Sequence, residues 1–138
     1  MYTKEEMLPA CITLVDEVEE HFKQKYDKQD LLDKNKTLYF VGDQITEADI
    51  RLFMTIVRFD PVYHQHFKCN LKMIRSDYPF INNWMIKLYN HQETSAFRDT
   101  TNFAHCKLHY TRSHKRINPL SITPVGPRPN ILSLDQSK

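Results

Sequence analysis

The chain has 138 residues, a formal net charge of +2 with histidine neutral, and is 41% hydrophobic, 26% charged and 12% aromatic. That length suits one domain around one core, and so weak a charge does not by itself point to nucleic acid. With two glycines, Gly42 and Gly126, neither an all-β fold rich in tight turns nor a phosphate-cradling glycine loop is open to it.

Residues 3–26 read as an amphipathic helix. Thr3 and Glu6 have capping-box spacing, and Met7, Cys11, Leu14, Val15, Val18 and Phe22 recur at three- and four-residue steps as one buried stripe. Glu17, Glu19, Glu20 and Lys23 then face water. Residues 27–36 are charged and loop-like, broken by Leu31 and Leu32. Residues 38–41 are an apolar run too short to assign, closed by a turn at Gly42 and Asp43.

The clearest local signal follows. Thr46 caps a helix start, Asp49 reaches back to the cap, and Ile45 with Ile50 are placed for a hydrophobic staple. The helix continues through Leu52, Phe53, Ile56 and Val57. Pro61 forbids unbroken helical bonding, so a break or kink is expected near Asp60, with helix resuming over residues 62–67. Another helix opens near Pro79 and buries Ile81, Trp84, Met85 and Leu88. Phe80 and Trp84 read as core. A short turn over 94–99 precedes a last helix, capped by Thr100 or Thr101, that runs through His109 towards Ser113. From Ile117, Pro119, Pro124, Pro127 and Pro129 impose an extended tail. The expected architecture is all-α: a helical domain over residues 1–116 and a Pro-rich tail over 117–138.

Four stretches are more specific than periodicity. Residues 39–53 (YFVGDQITEADIRLF) resemble the capping-box region of the glutathione transferase C-terminal domain, where a capped helix starts in the core. Residues 58–70 (RFDPVYHQHFKCN), 78–84 (YPFINNW) and 107–114 (KLHYTRSH), with Ile117-Asn118-Pro119 and Pro124-Val125-Gly126-Pro127 beyond, narrow it. Together, over about residues 38–128, they resemble the glutathionyl-hydroquinone reductases, the Xi-class relatives of the omega-like transferases.

That resemblance implies a transferase-like helical bundle, a cytoplasmic homodimer, glutathione as co-substrate and a quinone-type small molecule as ligand. Members of that family carry a thioredoxin-like domain with a Cys-Pro-Trp-Ala type motif, which holds most of the glutathione and supplies the attacking thiol. No such motif and no βαβ pattern occurs here, so the chain is expected to be an N-terminally truncated helical part. The implied reaction is thiolate attack on the sulfur of a glutathionyl-hydroquinone, then resolution by a second glutathione.

Three cysteines, Cys11, Cys69 and Cys106, show no CxxC spacing and fit a reducing cytosol. Cys11 sits on the apolar stripe. Cys69 lies near Lys68, His64 and His66, and Cys106 beside His105 and Lys107, but neither stands where the family's nucleophile does. No catalytic residue is assigned. Within the His-Tyr-x-x-Ser-His motif, Tyr110 resembles a tyrosine lining the family's quinone pocket; it reads equally as a core tyrosine with a satisfied hydroxyl. Tyr63 and Arg58 are lesser substrate candidates, and Arg58 with Asp60 reads more simply as an ion pair. The histidines lack a standard ligand set, so no metal is expected. Lys107, Arg112, Lys115 and Arg116 read as a solvated or dimer face, not a nucleic-acid surface. No apolar run approaches the roughly 20 residues that span a bilayer. Two classes of function stay open: the substrate-binding part of such a reductase, and a non-catalytic transferase-like module for protein association.

Overall fold

The computed structural model describes residues 4–128, with side chains from Ile12 onward. The cap read at Thr3 and Glu6, and the places of Met7 and Cys11 on the stripe, lie outside the described residues. Helix α1 spans Lys4–Lys25. It is followed by α2 (Lys28–Leu32), α3 (Glu47–Arg58), a π-helical turn at Phe59–Tyr63, and α4 (His64–His66). Then come α5 (Ile74–Asp77), α6 (Pro79–Tyr89), α7 (Ala96–Asp99) and α8 (Phe103–Ser113). No strand occurs among the described residues, so the chain is an all-α bundle.

The core gathers Phe22 from α1, Leu38, Phe53 and Val57 from α3, and Ile81, Trp84 and Leu88 from α6. Trp84 is fully buried, with its ring centroid 5.6 Å from that of Phe22 and 6.3 Å from that of Phe53. Offset and edge-on ring contacts of this kind add to the burial of large apolar surface. Helix α6 is buried on almost every side, from Phe80 to Leu88. By contrast α3 buries Asp49, Phe53, Ile56 and Val57 and turns Glu47 and Arg51 to solvent, where they pair.

Helices packed this way hide N-terminal N–H groups that have no intrahelical acceptor. Carboxylates from elsewhere in the chain supply the acceptors. Glu19 is 3% exposed, and its two oxygens accept the N–H groups of Phe80 (3.1 Å) and Ile81 (2.9 Å). It therefore does not face water as the stripe suggested, because α6 begins directly against it and Pro79 leaves the next donors open. Asp60 accepts from the N–H groups of Ile74 and Arg75 and from Arg75 Nε, closing the start of α5.

Asp49 is the most connected of these groups. One oxygen accepts from the Phe40 N–H (2.7 Å) and Trp84 Nε1–H (3.0 Å). The other accepts from the Thr46 N–H and Thr46 Oγ1–H, both at 3.0 Å. Thr46 and Asp49 form the capping box that opens α3. Ile45 packs on the core, whereas Ile50 keeps 50% of its surface exposed and adds little to a staple.

The segment over residues 38–42 is neither helix nor strand. Side chains hold its backbone: Tyr26 Oη donates to the Tyr39 carbonyl and accepts the Tyr39 N–H. His21 and Lys25 hydrogen-bond the carbonyls of Phe40 and Tyr39. Residues 27–36 are more ordered than a charged loop. Asp27 and Asp30 form a reciprocal capping box on α2, and buried Lys87 donates to the carbonyls of Asp30 and Asp33. Burial pulls the Lys87 ammonium below the usual lysine range, opposed by Asp33 and Asp30.

Replacing Asp49 by alanine strips the acceptor from the buried Trp84 indole N–H and from the part-buried Phe40 N–H at once, each costing about 1–3 kcal/mol. A loss of about 3–5 kcal/mol is expected in urea unfolding, against about 1 kcal/mol for Thr46→Ala. Equal losses for the two variants would contradict the account.

Candidate functional site

Helix α3 ends where Pro61 has no N–H to give. The chain answers by widening the turn: the His64 N–H bonds the Phe59 carbonyl, five residues back. The expected break is thus a π-turn that carries the helix on into α4. Such turns re-aim side chains and recur at functional sites. Here Asp60 turns inward to α5, and Tyr63 is set against α8. After α4 the chain reverses at Lys68, whose φ is 61°, and the Tyr63 carbonyl accepts both the Phe67 and Cys69 N–H groups at 3.2 Å. A lysine in this left-handed conformation is strained relative to glycine.

Helix α8 supplies the facing side. Its N-cap is Asn102, whose side chain accepts the His105 N–H at 2.9 Å. Thr100 and Thr101 do not cap it. Their hydroxyls donate backwards to the carbonyls of Ala96 and Phe97 (2.6 Å each) and close α7. Beyond α8 the chain turns over residues 115–117 and 119–120 before running on without helix or strand to residue 126, and side chains tie it down. Thr111 and Thr123 hydroxyls meet at 2.9 Å, Asn118 holds the Thr111 and Ile122 carbonyls, and Lys107 donates to the Val125 carbonyl. Lys107 is thereby withdrawn from the basic cluster. Burial, then the charge of Arg128, pulls its ammonium below the usual range.

Two residues one turn apart on each side form a pair of rungs. In the upper rung, the Tyr63 and Tyr110 hydroxyls lie 3.4 Å apart and the rings meet edge-on at 5.8 Å. In the lower rung, His66 Nε2 and His114 Nδ1 are 3.1 Å apart. Phe67 touches all four rings, at 4.8–5.8 Å. Tyr63, Tyr110 and His114 keep part of their surface open to solvent.

Arg58 belongs to this cluster and not to Asp60. Two residues apart on a helix, their side chains diverge by about 200°. The π-turn then commits Asp60 to Arg75, at 2.9 Å. Arg58 instead faces Cys106, Tyr110 and Tyr63. Burial alone lowers its pKa, but the electrostatic pull of these three outweighs that and raises it. For Tyr63, burial first and then the bond to Tyr110 push the phenol up to about 12, against a smaller opposing effect of Arg58.

Cys69 and Cys106 are half-buried and reduced. Neither starts a helix, and Cys11 is outside the described side chains. No group of three metal-ligating side chains comes together among the described residues. The members that sequence reading missed are His66, His114 and Phe67. The spacing Tyr63 to His66 and Tyr110 to His114 is the signal that pairs them, legible once α4 and α8 are known to face each other.

The chain matches the family described as glutathione S-transferase, C-terminal domain, over residues 3–86. It belongs to that family. It is 58% identical over 112 residues to glutathione S-transferase omega-like 2 of Saccharomyces cerevisiae, a match covering 81% of this chain and 30% of that relative. It is 48% identical over 111 residues to glutathionyl-hydroquinone reductase PcpF of Sphingobium chlorophenolicum, covering 79% of this chain and 34% of the relative. Among solved structures, the Xi glutathione transferase ECM4 of Saccharomyces cerevisiae in complex with glutathione superposes with a TM-score of 0.78 at 50% identity, over 94% of this chain and 38% of that one. Glutathione-bound YqjG of Escherichia coli gives 0.75 at 36% identity, over 92% of this chain and 36% of that one. The chain therefore spans about a third of the length of the relatives it matches.

The Tyr63 phenol carries a testable consequence. Its folded pKa lies above the ordinary value of 10.0, at about 12. Its contribution to stability is present below pH 10 and is lost as pH rises through about 12. Phenolate absorbance should show one late-titrating tyrosine that disappears in Tyr63→Phe. An unchanged titration curve would contradict the placement.

Proposed function

We propose that this chain forms the substrate-binding wall of a glutathionyl-hydroquinone reductase, with Tyr63 and Tyr110 holding the hydroquinone and Arg58 behind them. The observation that carries this reading is the 3.4 Å approach of two phenolic oxygens in a partly exposed aromatic cluster. Two such hydroxyls offer a donor and an acceptor to a hydroquinone oxygen, and the rings around them take the face or edge of the ligand ring. The Tyr63 phenol stays protonated at neutral pH and so remains a donor. The Arg58 charge favours an oxygen that gains negative character. The 48% identity to PcpF supports the substrate class.

In this reading the attacking thiolate and most of the glutathione site belong to a thioredoxin-like domain, and the assembly is a cytoplasmic homodimer. The thiolate attacks the sulfur of the glutathionyl-hydroquinone and the sulfur–carbon bond breaks. The ring carbon leaves with the electron pair and takes up a proton. A second glutathione thiolate then attacks the protein–glutathione disulfide, releasing glutathione disulfide and restoring the thiolate. The residues of this chain bind and orient; none of its cysteines takes a step.

The purified chain should bind hydroquinone, and Tyr110→Phe should weaken that binding about 5- to 10-fold, equivalent to about 1 kcal/mol. Given a glutathionyl-hydroquinone and glutathione, the chain alone should release no hydroquinone. Release would move the thiol chemistry to Cys69 or Cys106. No binding by either the native chain or Tyr110→Phe would favour a transferase-like association module instead.

A further inference from the structure

The lower rung is unusual because one nitrogen faces two partners. His114 Nδ1 lies 3.1 Å from His66 Nε2 and 3.1 Å from the carbonyl oxygen of Tyr110. That carbonyl is among the last of α8, for which His114 is the C-cap, and it needs a donor. An N–H on His114 Nδ1 satisfies it and fixes the tautomer. His66 Nε2 is then a bare lone pair facing the same hydrogen. A proton added to His66 Nε2 would set N–H against N–H at a distance where one of them must accept. His114 then either gives up the Tyr110 carbonyl or swings away.

We propose that the His66–His114 contact is a one-proton latch that positions Tyr110 against Tyr63, so that acid opens it and weakens ligand binding at the tyrosine pair. The ligand half of this statement rests on the hydroquinone reading above. The geometry makes the coupling direct. His66 lies one turn beyond Tyr63 and His114 one turn beyond Tyr110, so the lower rung fixes the separation of the upper one. Phe67 fills the space between them, with ring centroids 5.6 Å from Tyr63 and 5.6 Å from His114.

The charged and titratable groups around the pair are Arg58 from α3, Tyr63 from the π-turn, Lys68 beyond α4 and Tyr110 from α8. None of these is a carboxylate that would welcome a second proton. Burial first, then the charges of His114 and Lys68, hold His66 below the usual histidine value of 6.5. Below that value the unfolded chain binds more protons than the folded one. The stability that neutral His66 contributes is therefore present above pH 6.5 and lost as pH falls through its lower folded value.

The test uses the full chain and two variants, His66→Gln and His114→Gln. A glutamine oxygen can accept from His114 Nδ1–H as Nε2 does, yet it does not titrate. Hydroquinone affinity is measured at about pH 5 and about pH 8. The native chain should bind roughly 10-fold more weakly in acid, while His66→Gln binds alike at both. In histidine ring NMR of the ligand-free chain, His114→Gln should move the His66 titration upward. An acid loss in His66→Gln equal to the native one overturns the latch, as does a His66 titration indifferent to His114. Should hydroquinone bind nowhere in this range, the Tyr63–Tyr110 ring contact, read by nuclear Overhauser effects, still decides. Its loss in acid for the native chain but not for His66→Gln supports the latch and sinks the ligand reading; its persistence in both sinks the latch.

Discussion

A helix start buried in a core leaves N–H groups that must find acceptors, and in this chain the Asp49 carboxylate meets the hardest case. It accepts from its own cap at Thr46, from the non-helical segment at Phe40 and from the indole of Trp84 on α6. One side chain therefore fixes three elements relative to one another. Glu19 and Asp60 do the same for α6 and α5. The direction of α3 is set at this end, and α3 leads into the π-turn that presents Tyr63. The aromatic cluster beyond the far end of α3 inherits its geometry from a capping box at the other end of that helix.

This arrangement explains what could and could not be read from the chain. The spacing of Thr46 and Asp49 is local, so the start of α3 was legible. The helix opening at Pro79 was legible for the same reason, as was a disturbance of the helix near Asp60, which Pro61 widens into a π-turn without breaking the helix. The role of Glu19 was not, because its partners, Phe80 and Ile81, stand some sixty residues away. A charged residue beside an apolar stripe reads as solvated until the helix that needs it is placed. The capping box of Asp27 and Asp30 was passed over because no apolar run follows it; α2 buries no side chain fully.

The site shows the same division. Tyr110, Tyr63 and Arg58 came forward singly, through the resemblance of two separate stretches. That the tyrosines touch is a fact of the fold, across 47 positions of sequence. Arg58 was assigned to the nearest acid in sequence, whereas helical geometry turns the two side chains apart and Arg75 takes Asp60. His66 was read only as a neighbour of Cys69, and His114 only as the end of a motif. In the fold the two form a rung directly beneath the tyrosines.

The central functional claim is that ligand recognition resides at the Tyr63–Tyr110 pair. Chemical-shift mapping of the chain during a hydroquinone titration tests it most directly. The account predicts saturable shifts centred on the rings of Tyr63 and Tyr110, with the Trp84 indole N–H, locked on Asp49, unmoved. Shifts centred instead on the recess lined by Lys34, Tyr39, Asn90 and His91, or no shifts at saturating ligand, would contradict it.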